Sequence, residues 1–440
     1  MKFVADLHLH SKYSRAVSQQ MILSEMAKWA KYKGIDVLAT GDFTHPFWFD
    51  QLKNELEETG NELYRLKTND EGLKQINFLL SCEISSIYSQ GGQGRRVHNL
   101  FFFPDLPSVE KFNKELLKRG ANLRSDGRPI VGVTSRDLTE VALSINDRAL
   151  VIPAHAWTPW FSVFGSNSGF DSIEECFGDM AKYIYGIETG LSSDPAMNWQ
   201  IGDLDNRAIL SFSDAHSLPK MGREATVFEA DEVSYDSIYK AIRQVGDLAK
   251  IAFTIEFHPE EGKYHFTGHR DCNFSQSPEE TAKNGDICPV CGRKLTVGVM
   301  HRVEELKTRD QLSVTRDQGG VRWVSHPNNS RPPYVSMVPL TEILAECLGT
   351  MVTSKKVIDQ YLTLVNSLGS EFNILLKSEL ADILRFAGQK VAEGIERVRS
   401  GKIVVEPGYD GKFGIVKIWS SSADEIKEDD QAQAQLNLFN

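Results

Sequence analysis

Nowhere does the 440-residue chain approach the roughly 18 consecutive apolar residues that a membrane span requires. Its opening run, MKFVADLHLH, has no apolar core ahead of the histidines, so we expect no secretory leader, no membrane partner and a cytoplasmic location. Cysteine is scarce. Six thiols over this length make no disulfide framework, and Cys82, Cys176 and Cys347 stand apart in apolar or helical surroundings as reduced core residues. A Walker-type glycine loop, a dinucleotide-binding fingerprint and a GxSxG elbow are all missing, which leaves ATPase, dehydrogenase and α/β-hydrolase chemistry without support. Basic excess is missing too. A formal net charge of −11 argues against a uniformly basic nucleic-acid coat, yet it leaves room for a local basic groove.

What remains, 41% apolar and 25% charged residues, is the composition of an ordinary globular chain long enough for about three domains. Seven short β-rich runs recur in the first half: KFVADLHLH, IDVLATGD, INFLLSCEIS, VHNLFFF, ALVIPAHAW, YIYGIETG and AILSFSDAH. Helix-like segments separate several of them, such as Gln20 to Gly34, where Ile22, Met26, Trp29 and Ala30 recur near helical spacing ahead of a glycine cap. Such alternation predicts an α/β fold, either a βα barrel or a doubly wound sheet. Polar residues decide between them. His8, His10, Asp42, Glu83, His98, His155, Glu188, Asp214 and His216 all fall within or just after the C-terminal part of a strand, and only a barrel gathers seven strand ends around one centre. We therefore expect a distorted barrel of about seven strands.

Beyond Arg223 the pattern changes. Residues 235–245 read as a helix, IAFTIEF as a strand, and a Gly-, Cys- and Pro-rich segment follows. Residues 262–331 carry eleven Lys or Arg against eight acids, a local +3 inside an acidic total. Residues 340–399 are helical in pattern, KIVVEPGYDGKFGIVKIW reads as a β-hairpin, and the last twenty residues form a polar, acidic tail. The expected units are a barrel at 1–255, a zinc-binding module at 256–335, a helical region with hairpin at 336–420 and a flexible tail at 421–440.

Alternation along DLHLH places Asp6, His8 and His10 on one strand face, so both imidazoles can address one ion. With Asp42, Glu83, His98, His155, Asp214 and His216 the donors number about eight, enough for two or three divalent ions; mixed His and carboxylate ligation suits Zn, Mn or Fe, with Mg as a further candidate. Neighbouring divalent ions suit hydrolysis of a phosphate mono- or diester.

The HxH start, the Asp of ATGDFTH, the Glu of SCEIS and the His residues of VHNL, PAHAW and SDAH resemble the PHP (polymerase and histidinol phosphatase) family. That resemblance implies a distorted seven-stranded barrel and up to three ions. By motif, His8, His10, Glu83 and Asp214 would hold one, Glu83, His98 and His155 a second, and Asp42 and His216 would help with a third. The family's second motif has His directly after Asp. Here Phe43 follows Asp42 and His45 comes two residues later.

Cys288-Pro-Val-Cys291-Gly is a zinc knuckle, and His269 with Cys272 supplies the other half, with fifteen residues between Cys272 and Cys288; His265 or His301 is the alternative fourth ligand. One structural Zn would replace the core that so short a module cannot build.

A PHP-type barrel followed by a zinc module and helices, together with SKYSRAVS and HAWTPWFSVFGSNSGFDSIEEC, resembles the endonuclease Q family over residues 1 to about 405. The resemblance implies cleavage of the phosphodiester 5′ to hypoxanthine, xanthine, uracil or an abasic site in DNA repair. His269 stands where the archaeal form would have cysteine. A base read in duplex DNA must leave the stack, and Trp157, Trp160, Phe161, Phe164, Ser166, Asn167 and Ser168 are the pocket candidates. Arg95 and Arg96 are candidate phosphate contacts. Gln435, Leu436, Leu438 and Phe439 resemble the QLxLF peptide that docks on the bacterial DNA polymerase sliding clamp. Competing readings are a PHP-type small-molecule phosphoesterase and a non-catalytic, clamp-associated DNA-binding protein.

Overall fold

The structure is a computed structural model that describes residues 1–310 and 313–419; the clamp-like motif at Gln435 to Phe439 lies outside the described residues. All seven expected strands are present: β1 (Lys2–Asp6), β2 (Val37–Ala39), β3 (Asn77–Gln90), β4 (Gln93–Phe103), β5 (Leu150–Pro153), β6 (Gly186–Glu188) and β7 (Ala208–Leu210). They are followed by β8 (Ala225–Ala230) and β9 (Ala249–Glu256). The fold is mixed α/β, with a thirteen-stranded sheet and fourteen α-helices among the described residues.

β1, β2 and β3 run parallel, with Asp6 opposite Leu38 and Leu38 opposite Phe78. Between the first two runs α1 (Leu23–Lys33), which closes on Gly34 at φ 87°; α2 (Pro46–Glu55) follows β2. The expected alternation then breaks, because β3 and β4 form an antiparallel hairpin paired from Leu80–Phe103 to Gln90–Gln93. Gly91 and Gly92, both at positive φ (60° and 77°), make a tight return that leaves no room for a crossover helix. Consequently Glu83 and His98 project from the middle of long strands, not from strand ends. β5 is antiparallel to β4, and β6 and β7 form a parallel pair of their own. Backbone links tie that pair and the segment after it to the rest: Ala156 N–H donates to Glu188 O (2.9 Å), Ser18 N–H to His216 O (2.9 Å), and Leu9 bridges Ala215, with His10 N–H donating to Ala215 O (3.3 Å).

Period-two alternation works as expected along the first strand. Phe3, Ala5 and Leu7 enter a buried apolar cluster with Leu79, Leu100, Ile152 and Phe212, while Asp6, His8 and His10 alternate with them. All three polar residues are nonetheless buried, at 0–1% exposure, so each needs a partner to offset its desolvation. β8 and β9 extend the sheet antiparallel beyond β1.

Five helices between Leu340 and Ser400 form the C-terminal helical region. It is pinned to α1 by a buried ion pair, Lys33 Nζ to Glu371 Oε2 at 2.8 Å. The hairpin Val404–Glu406 with Ile415–Lys417 packs elsewhere. It docks on the cysteine module, where Phe266 N–H donates to Gly408 O (2.9 Å) and Asp410 accepts from Arg270 N–H (2.8 Å) and Thr296 Oγ1 (2.6 Å).

Candidate metal centre and cleft

Glu83 lies at the centre of the histidine constellation, and its two oxygens face different partners. Oε2 is 3.2 Å from His10 Nε2 and 3.5 Å from His8 Nε2; Oε1 is 2.5 Å from His98 Nδ1 and 3.2 Å from His155 Nε2. Three donor groups overlap here: His8, His10 and Glu83; Glu83, His98 and His155; and His10, Asp214 and His216. Asp214 Oδ1 is 3.3 Å from His10 Nε2 and 3.5 Å from His8 Nε2. Seven of the eight expected cluster residues therefore converge.

Asp42, the eighth, stands one layer behind. Its Oδ1 is 3.0 Å from His10 Nδ1, and its Oδ2 accepts from Ser11 N–H (2.6 Å), Ser11 Oγ (2.7 Å) and Ser14 Oγ (2.9 Å). It orients His10 and belongs to none of the three donor groups. Glu188 does the same for His8, with both oxygens near Nδ1, and also accepts the backbone N–H of His155 (2.6 Å). Such carboxylates fix the tautomer and orientation of a ligating imidazole. His45 belongs to none of these donor groups and stacks on Tyr13 at 4.5 Å.

Asp6 holds the last loop in place, which the sequence reading did not assign. Its carboxylate accepts from Ser213 N–H (3.0 Å), Ser213 Oγ (2.6 Å) and Gly222 N–H (2.9 Å), fixing the segment that carries Asp214 and His216. Asp42, His155 and Asp214 all adopt positive φ (50°, 30° and 46°), a conformation maintained only where the surroundings over-determine it. Gly190 shows how tightly: a Cβ there would come within 2.5 Å of His155 Cβ.

Electrostatics match this packing. Burial by itself would raise the Glu83 carboxyl, but His98, Arg128 and the adjoining His10 and His155 rings hold it well below the usual range. Burial likewise opposes the ionised Asp214, which His8 and His10 hold low. Arg128, also unassigned by the sequence reading, donates to Glu83 Oε2 at 3.2 Å and is partly open to the cleft.

That cleft has a volume of about 700 Å³. Arg15, Arg96, Arg128, Lys220, Arg223 and Lys263 line it beside His98, His155, Asp214 and His216. The expected pocket residues divide. Trp160 and Phe161 line the cleft, whereas Trp157 and Phe164 are fully buried against each other (4.7 Å), with Trp157 Nε1 donating to Asn198 Oδ1. Ser166, Asn167 and Ser168 border a separate polar groove with Arg95, whose guanidinium is bound to Gly169 O and lies 4.2 Å from the Phe170 ring. The sequence had presented 155–168 as one loop; its fold turns alternate residues into core, cleft and groove.

Residues 339–402 match the family described as MJ0043 C-terminal domain, and residues 208–245 the family described as PHP-associated. Among solved structures, the lesion-specific endonuclease PfuEndoQ from Pyrococcus furiosus is 30% identical, covering 97% of this chain and 99% of its own, with a TM-score of 0.80. The chain belongs to the endonuclease Q family. An endonuclease Q in complex with a 27-mer duplex substrate, with an abasic lesion at the active site, is 32% identical at a TM-score of 0.81, covering 96% and 97% of the two chains. The uncharacterized protein MJ0043 of Methanocaldococcus jannaschii is 30% identical over 62% of this chain; the match spans only 33% of that longer relative.

This endonuclease Q family member brings its cysteine module together as a separate donor group. His269, Cys272, Cys288 and Cys291 offer ligand atoms all within 4.8 Å of one another, and His269 Nδ1 is 3.3 Å from Cys291 Sγ. His265 and His301 are not part of that group; His301 Nδ1 pairs with Pro278 O (3.2 Å). Burial opposes ionisation of Cys288, yet the backbone N–H groups of Cys291 and Val290 and the His269 ring bring its thiol down to about 6, while neighbouring Cys291 and Cys288 push Cys272 up to about 12. No helix among the described residues is long and apolar enough to cross a membrane.

Proposed function

We propose that the chain is a metal-dependent DNA endonuclease that hydrolyses the phosphodiester 5′ to a deaminated base (hypoxanthine, uracil or xanthine) or an abasic site. The observation that carries this reading is Glu83, whose two oxygens serve two histidine clusters at the floor of an arginine-lined cleft. Kinship with a lesion-specific endonuclease, and with an endonuclease Q that holds an abasic duplex, supplies the substrate class.

The residues fit divalent ions. His8 Nε2, His10 Nε2 and Asp214 Oδ1 are buried without a hydrogen-bond partner, converge within 3.5 Å, and would otherwise be costly to desolvate. His8, His10, Glu83 and Asp214 would hold one ion, Glu83, His98 and His155 a second, and His10, Asp214 and His216 border a third position. Two or three ions of Zn, Mn, Mg or Fe would supply a hydroxide at neutral pH and neutralise charge on the phosphate. The chain itself orients these donors through Glu188, Asp42 and Asp6, and Arg128 offers its remaining N–H groups to a non-bridging phosphate oxygen. Trp160 and Phe161 stand beside the same cleft for the extruded nucleotide.

We read β1 to β7 as a distorted seven-stranded barrel, supported by the Leu9–Ala215 and Ala156–Glu188 links, within residues 1–255. The His269, Cys272, Cys288 and Cys291 group at 256–335 would take one structural Zn. Residues 336–420 supply the helical region and 421–440 a tail whose QLNLF motif would bind a sliding clamp in the cytoplasm.

The deciding experiment incubates the protein and Mg or Mn with end-labelled duplexes carrying one hypoxanthine, uracil, xanthine or abasic site, beside undamaged duplex and a phosphate monoester. Nicks 5′ to the lesion are expected. Monoester hydrolysis without nicking of any damaged duplex would overturn the reading. Removing residues 435–440 should abolish clamp pull-down while nicking persists; retained clamp binding would remove that partner.

A further inference from the structure

Three loops build a rigid rim beside the cleft. Gly127 N–H donates to Tyr13 O and Thr44 Oγ1 to Gly127 O, both at 3.1 Å, while Asp126 accepts Arg15 N–H at 3.2 Å. The rim is continuous with the metal donors, since Ser14 Oγ donates to the Asp42 carboxylate that orients His10. It is continuous with the cleft as well, because Arg15, Asp126 and Arg128 line that cavity.

Phe47, in the first turn of α2, projects from this rim with 56% of its surface exposed. Behind it the Tyr13 ring, 6.3 Å away, stacks face to face on His45 at 4.5 Å and 17°. Cations flank the rings: Arg124 lies 6.0 Å from the Phe47 centroid and Lys12 5.3 Å from that of Tyr13, while the rim acid Asp126 is already paired with Arg15. A lone exposed apolar residue needs no explanation. One mounted on a locked scaffold, backed by a ring stack and surrounded by positive charge next to a phosphodiester cleft, calls for a partner that is flat, apolar on its faces and polyanionic.

We propose that Phe47, braced by the Tyr13–His45 stack, is a wedge that stacks on the base adjoining the nucleotide whose phosphate enters the cleft. The inference rests on the reading of the chain as a DNA-acting enzyme and adds the surface that keeps the duplex open. Every base presents a π-face, so the contact is independent of sequence, and Lys12, Arg15 and Arg124 take the neighbouring phosphates. Wedge side chains of this kind offset the unstacking of a base step by replacing the lost base contact.

The test uses the full-length protein with duplexes carrying an abasic site and 2-aminopurine at the adjoining position. Wild-type protein should change the 2-aminopurine fluorescence on binding, and Phe47→Ala should abolish that change. Phe47→Ala should also nick the lesion duplex roughly tenfold more slowly while nicking single-stranded lesion DNA within about twofold of wild type, because a single strand has no stack to hold open. Phe47→Trp should restore both signals. If Phe47→Ala matches wild type in fluorescence and in duplex nicking, the wedge is overturned. If wild-type protein nicks no DNA but Phe47→Ala still removes the fluorescence change, the wedge stands and the endonuclease reading falls.

Discussion

Glu188 grips His8 through both of its carboxylate oxygens, at 2.9 and 3.0 Å from Nδ1, and so leaves Nε2 aimed at Glu83 and Asp214. Replacing Glu188 with Gln keeps the volume and removes the charge that raises His8. Metal affinity and nicking should each fall by roughly 10–100-fold, with the circular dichroism spectrum unchanged. Metal content after dialysis and single-turnover rates check this; full occupancy at wild-type rate would show that His8 needs no such support.

Arg128 separates charge from shape. Its guanidinium is 3.2 Å from Glu83 and opens on the cleft. We expect Arg128→Met to lower kcat by about 10²–10³-fold with metal content retained, and Arg128→Lys to recover only part of the loss, since an ammonium cannot reproduce the planar fork. Equal loss of metal and rate would instead assign Arg128 to stabilising Glu83.

The Lys33–Glu371 pair fastens the helical region to α1. Both side chains are buried, and Tyr361 Oη (2.9 Å) and Leu340 N–H (3.0 Å) also donate to Glu371. Lys33→Met strands the carboxylate and should destabilise the protein by about 3–5 kcal/mol. Chemical denaturation measures this, and the double variant Lys33→Met, Glu371→Gln should regain part of it.

Glu256 produces a pH dependence of stability. Burial, chiefly, pushes its carboxyl up to about 8, although Ser211 and Thr189 hydroxyls donate to it. Buried Glu224 beside it is raised as well. A group raised in the folded state from 4.5 stabilises fully below that value and loses its contribution as pH rises through about 8. Thermal midpoints should therefore fall between pH 5 and 9, and Glu256→Gln should make that fall shallower. An identical slope in the variant would place the effect elsewhere.

Much of the candidate site could be read from the chain because its signals are local. Alternation in DLHLH put His8 and His10 on one face, the Cys288-x-x-Cys291 spacing marked its module, and each of the seven apolar runs became a strand. Period and spacing are properties of neighbouring residues, so tertiary contacts had little room to override them. The hairpin of β3 and β4 was less legible, because a Gly-Gly return and a helical crossover both follow a β-rich run.

Roles decided by distance in three dimensions lay beyond the sequence. Glu188 meets His8 across 180 residues and Asp6 meets Ser213 across 207, so no periodicity connects them. Asp42, expected among the ligands, has one oxygen beside His10 Nδ1 and the other occupied by Ser11 and Ser14, and its motif announced none of these contacts. Arg128 and Phe47 likewise belong to no motif in the chain; Arg128 meets Glu83 across 45 residues, and Phe47 stands by Tyr13 from the first turn of α2. The sequence by itself determined which chemistry-bearing residues were available and on which strands they stood. Only the tertiary structure decided which atom of each faces the centre, because burial favours polar groups that find partners, and which partners lie within reach is a property of the whole fold.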